Sequence, residues 1–106
     1  MRRLALLAVV VVVTLTACTP QWIANDVWRS HGKSEAEIAQ SNRVMSCESG
    51  FNPNARNGPY QGLFQLHHRH ASLVGGANLF DPYWNALAAL HLYNGSGGWY
   101  PWGCRP

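Results

Sequence analysis

The sequence predicts a small, mainly α domain of about four helices, with a turn-rich or short extended segment between them and one disulfide. Three observations lead there. Helix-start signals at Thr19-Pro20, at Ser34 with Glu37 three positions on, and at Asp81-Pro82 each precede a run with apolar residues at helical spacing. Between the second and third signals, "GFNPNARNGPYQG" is too dense in Gly, Asn and Pro to continue a helix. The last observation is the cysteine count, which becomes even once the N-terminal segment is set apart.

That segment opens with Met1-Arg2-Arg3, continues through the apolar "LALLAVVVVV" and reaches "LTAC" at Leu15 to Cys18, the layout of a secretory signal. Its apolar core is shorter than the roughly 20 residues of a spanning helix, which favours processing over a permanent membrane span. It resembles a bacterial lipoprotein signal, whose lipobox ends in the cysteine that is lipidated. The resemblance implies a signal peptide at residues 1–17, lipidation of Cys18 and a mature domain at 18–106. The protein is then expected to be exported and anchored by lipid in the cell envelope, with plain secretion as the alternative. An 89-residue domain buries only about two thirds of its unfolded surface, so a staple is valuable. With Cys18 lipidated, Cys47 and Cys104 remain in an oxidising compartment and are expected to pair. Their 57-residue separation corresponds to roughly 4 kcal/mol of chain entropy.

In chain order, the first helix is capped by Thr19, carries Trp22, Ile23 and Val27 on an apolar side and ends by Gly32. The second begins at a Ser34/Glu37 capping box and runs through Ile38, Val44 and Met45 to Cys47 or Glu48. "LFQLHHRHASLVGG" suggests a short extended piece at Leu63 to Leu66, followed by a helical turn or two. The last helix is capped by Asp81 and spaces Tyr83, Leu87, Leu90 and Asn94 at helical intervals. The tail "SGGWYPWGCRP" is aromatic and turn-rich, and a Cys47–Cys104 bond draws it beside Glu48.

Without Arg2 and Arg3, six basic residues face five acids, and no basic stripe remains. Nucleic acid is therefore not an expected partner. Of the acids, Asp26, Glu35, Glu37 and Asp81 have capping or surface explanations, whereas Glu48 does not. It sits near a helix C-terminus, whose partial negative charge disfavours an ionised carboxylate. If the site is also poorly solvated, its pKa is expected to rise from about 4.3 toward 6 or 7, the range a general acid needs. The ordinary reading of such a residue, an ion pair with Arg43 or Arg56, competes with this one. The run His67-His68-Arg69-His70 lacks a good zinc spacing and a free cysteine, so it is read as polar surface; no metal and no cofactor are expected. Among five tryptophans, Trp22 and Trp84 are assigned to helix packing, and Trp99 with Tyr100 to a cleft.

Three motifs, "ESGFNPNA" from Glu48, "GLFQL" from Gly62 and "LYNGSGGW" from Leu92, occur in the order found in the lysozyme-like lytic transglycosylases, which the chain resembles over roughly residues 36 to 102. The resemblance implies an α+β lysozyme-like fold and cleavage of the glycan strands of peptidoglycan. It makes Glu48 the catalytic acid/base, Ser49 the hydroxyl that holds it, and Gln65 a residue facing the sugar cleft. Tyr93 and Asn94 match a pair whose tyrosine lies close to the acid, and Phe64 supports the cleft wall. The chain has Tyr60 where the family usually has a small residue, and Leu92, Gly95 and Ser96 depart from the last motif, which bears on cleft shape. "CESG" with a terminal "PWGC" also resembles the resuscitation-promoting-factor domains, whose cysteine beside the catalytic glutamate pairs with one near the C-terminus.

Glycosidases usually use two carboxylates, and this chain offers no convincing second one. A substrate with an N-acetyl group can supply the missing nucleophile. The expected activity is therefore a lytic transglycosylase that leaves 1,6-anhydro-muramyl ends, acting as a monomer on peptidoglycan glycan strands. Alternatives are a lysozyme-type hydrolase using the same glutamate and a noncatalytic peptidoglycan-binding lipoprotein.

Overall fold

The computed structural model describes residues 19–106; the expected signal segment 1–17 and the lipidation site Cys18 lie outside the described residues. Thr19 caps the first helix, α1 (Pro20–Ser30), its hydroxyl accepting the Trp22 N–H. At the second helix, α2 (Glu35–Ser49), both halves of the capping box form: the Ser34 hydroxyl accepts the Glu37 N–H, and the Glu37 carboxylate accepts the Ser34 N–H. Gly50, in the left-handed region at φ +60°, ends α2 and turns the chain away two residues after Glu48. Asp81 caps the last helix, α3 (Pro82–Ser96), which keeps Pro82 in its first turn.

The segment between α2 and α3 is turn-rich with short extended pieces, as expected, but the strands lie at other positions. It is a three-stranded antiparallel sheet of two-residue strands, β1 (Arg56–Asn57), β2 (Tyr60–Gln61) and β3 (Leu66–His67), in the order β1-β2-β3. Tyr60 pairs with both Asn57 and His67. The extended piece placed at Leu63 to Leu66 is mainly turn, and strand geometry begins at Leu66. The expected helical turns follow as a 3-10 helix, His68–Val74. Strands this short carry no period-2 signal, which hides them from pattern reading.

Trp28 occupies the centre of the core with no exposed surface. Its ring stacks on Phe64 at 5.8 Å and on Trp99 at 5.5 Å, and its indole N–H donates to the Ala86 carbonyl of α3 at 3.0 Å. Trp99 and Trp102 satisfy their N–H groups on Gln40 Oε1 and the Phe64 carbonyl. Three large rings are thus buried without an unpaired donor, as burial requires. The first helix buries Ala24, Val27 and Trp28, and Trp22 stands exposed, contrary to its expected packing role. Trp84 is also exposed, because α3 turns Asn85, Ala86, Ala88, Ala89 and Leu90 inward; of the expected stripe Leu90 is buried and Leu87 packs against the core, whereas Tyr83 and Asn94 are exposed. Small residues on that face let α1 approach closely, an arrangement that helical spacing of large residues does not reveal.

Asn85 joins the sheet region to α3. Fully buried, it accepts the Phe64 N–H and donates to the Gln61 and Leu79 carbonyls, all at 2.8 to 2.9 Å. Gly62 makes room for it: at φ +77°, a Cβ there would lie 2.3 Å from the Leu79 carbonyl oxygen and 2.4 Å from Asn85 Nδ2. The Cys47–Cys104 disulfide is present and ties the tail to the end of α2. No helix among the described residues is long and apolar enough to cross a membrane.

Candidate active site

Glu48 lies in the last turn of α2, half-buried, on the wall of a cleft of about 490 Å³. Its carboxylate accepts the Cys104 N–H at 3.2 Å. Because Cys47 precedes Glu48 and is bonded to Cys104, the disulfide holds this donor beside the acid. One side of Glu48 meets the tail and the other opens to the cleft. The expected competitor, an ion pair with Arg43 or Arg56, does not form; the ion pairs among the described residues are Arg29–Glu35 and Lys33–Glu37.

Asn57 and Tyr60 of the hairpin line the cleft beside Gln65. Gln65 takes φ +48°, a conformation costly for a non-glycine residue and found preferentially at functional sites. Its amide donates to the Ala55 and Gly62 carbonyls, and its Oε1 accepts from Asn57 Nδ2 at 2.9 Å. These bonds hold the turn in its strained shape. Phe64 is buried in the core, outside the cleft lining, and receives the indole N–H of the cleft residue Trp102 on its carbonyl.

Five further residues expected at the site stand outside the cleft lining. The Ser49 hydroxyl donates to the Leu63 carbonyl at 2.7 Å, with the Met45 carbonyl also near at 3.1 Å; it fastens α2 to the sheet region and has no hydrogen bond to Glu48 among the described residues. The Tyr93 hydroxyl donates to Glu37 at 3.1 Å, beneath the Lys33 ammonium at 4.9 Å from its ring, and does not line the cleft. Asn94 accepts from Lys33 Nζ. Trp99 is a core residue stacked on Trp28, and Tyr100 is exposed outside the cleft. In these positions Tyr93 and Asn94 join the C-terminal turn of α3 to the α1–α2 connection. The Ser34 backbone bond, helped by Tyr93, the Ser34 hydroxyl and Lys33, holds Glu37 below the usual carboxylate range. Burial, then Glu37, pushes the Tyr93 phenol up.

The sequence reading drew the tail beside Glu48 but named Trp99 and Tyr100 as its cleft residues, and it read the histidine run as polar surface and not as a cleft wall. Pro101, Trp102, Gly103 and Cys104 form one side, and His67, Arg69 and His70 form another. For the tail the signal was available in the disulfide, since "PWGC" leads directly into Cys104. For the histidines none was, because their side of the cleft depends on the register of β3 with β2. Loss of solvation holds His67 and His70 below the ordinary histidine value; Arg69 acts on both in the same direction, as do His68 on His67 and His67 on His70. No group of three or more His, Cys, Asp or Glu among the described residues is placed to hold a metal ion.

No family model matches the chain, nor does any curated protein or solved structure.

Proposed function

We propose that the protein is a peptidoglycan lytic transglycosylase that cleaves the β-1,4 bond between N-acetylmuramic acid and N-acetylglucosamine, with Glu48 as its acid and base. The observation that carries this reading is the placement of Glu48 as the one carboxylate among the described residues that line the cleft. A two-carboxylate glycosidase needs a second acid within about 10 Å across the scissile bond. Chemistry with a single acid needs the substrate to supply the other group, and the N-acetyl oxygen of a muramyl residue can do so.

In this mechanism Glu48 gives its proton to the glycosidic oxygen as the bond to the muramyl anomeric carbon breaks. The carboxylate then removes the proton of the muramyl 6-hydroxyl, whose oxygen closes on that carbon. The products are a free 4-hydroxyl and a 1,6-anhydro end, with no water consumed. Support for the acid's position comes from the Cys104 N–H and the disulfide. A polar wall from Asn57 and Gln65, with Tyr60 beside it, suits a sugar strand.

A second reading, a noncatalytic peptidoglycan-binding lipoprotein, draws on the engagement of Ser49 and Tyr93 away from Glu48. The Glu48→Gln variant separates the two: the enzyme reading expects strand cleavage to vanish with the melting temperature kept. Protein that binds strands and leaves them intact with Glu48 in place favours the binding module instead.

A further inference from the structure

The cleft is asymmetric in charge. Glu48 is its one acid among the described residues, whereas His67, Arg69 and His70 form a donor-rich wall on β3 and the 3-10 helix. Arg69 is exposed and has no carboxylate partner among the described residues, whose ion pairs involve Arg29 and Lys33. A guanidinium presents five donors and no acceptor, so it is complementary to an anion. His67 is fixed in register opposite Tyr60, with the two rings edge-to-face at 5.7 Å. Its Nδ1 accepts the Arg69 backbone N–H at 3.2 Å, which leaves the proton of the neutral ring on Nε2 as a further donor. His70 closes the group, its ring 6.5 Å from that of His67.

From this we infer that His67, Arg69 and His70 form a carboxylate-binding subsite, so the cleft selects glycan strands that carry an anionic substituent over neutral ones. The inference rests on reading the cleft as a glycan site. A polymer of N-acetylglucosamine alone offers no anion to this wall. Strands containing muramyl residues offer carboxylates from two sources, the lactyl group when it is free and the peptide stem when it is substituted. Arg69 supplies the charge and His67 the directed N–H.

The test is calorimetric titration of the oxidised Glu48→Gln protein with four tetrasaccharides. These are the neutral N-acetylglucosamine oligomer and alternating muramyl oligomers with free lactyl carboxylates, with lactyl methylamides, or with short peptide stems. We expect at least one carboxylate-bearing oligomer to bind about tenfold tighter than the methylamide, the order expected for a hydrogen bond to a charged group. Arg69→Gln should remove that preference and Arg69→Lys should keep part of it. Tighter binding of the free lactyl oligomer assigns the lactyl group, and tighter binding of the stem-bearing one assigns the stem. Equal binding of the methylamide, a preference that survives Arg69→Gln, or no binding of any oligomer overturns the subsite. Cleavage by the unsubstituted protein is scored separately. Glu48-dependent cleavage without carboxylate preference refutes only this inference, and preference without cleavage refutes only the proposed function.

Discussion

Replacing both Cys47 and Cys104 by serine tests how the fold and the cleft are coupled. The bond closes a loop of 57 residues, for which the chain-entropy relation gives about 4 kcal/mol. With an unfolding entropy near 2 cal/mol/K per residue, a domain of this size should melt roughly 20 °C lower without it. The loss should be confined to the end of the tail. Trp102 remains held by its indole bond to the Phe64 carbonyl and by edge contacts with Phe64 at 6.3 Å and Trp99 at 5.0 Å. Gly103 and Cys104 have no comparable anchor, so the N–H at Glu48 and that stretch of cleft wall are released. Thermal unfolding followed by near-ultraviolet circular dichroism reads both effects. The aromatic signal should persist below the new midpoint while strand cleavage at that temperature falls. A midpoint lowered by less than about 5 °C would show that the unfolded chain gains little freedom from losing the bond. An aromatic signal absent at every temperature would show that the tail, contrary to this reasoning, organises the tryptophan core.

Asn85→Ala should destabilise the domain by about 3 kcal/mol or more in urea denaturation, because it strands the Phe64 N–H and the Gln61 and Leu79 carbonyls in the interior; a loss below about 1 kcal/mol would mean that those groups find other partners. Tyr93→Phe removes the bond to Glu37 and should cost about 1 kcal/mol of stability with strand cleavage little changed. A large fall in cleavage at unaltered stability would instead return the tyrosine to the acid, as the family resemblance implied.

Helix ends were the most legible part of the sequence, because capping is a local matter of side chain and backbone. Thr19, Ser34 with Glu37, and Asp81 all cap as their identities dictate. The disulfide was legible by counting, and it carried Cys104 to Glu48. Helix faces were less so. Trp22 and Trp84 are apolar residues at helical spacing, yet the buried stripe of α3 is made of alanines around Asn85, since close approach to α1 favours small side chains. Tyr93 and Ser49 carry hydroxyls whose partners depend on tertiary contacts, Glu37 for one and the Leu63 carbonyl for the other. The histidine wall depends on a two-residue strand pairing that no sequence period marks.

The most direct test of the account is mass spectrometry of purified glycan strands after digestion by the oxidised protein and by its Glu48→Gln variant. The account predicts 1,6-anhydro-muramyl ends with the unsubstituted protein and intact strands with the variant. Reducing ends in place of anhydro ends would contradict the internal closure by the muramyl 6-hydroxyl, and cleavage that persists in the variant would remove Glu48 from the chemistry altogether.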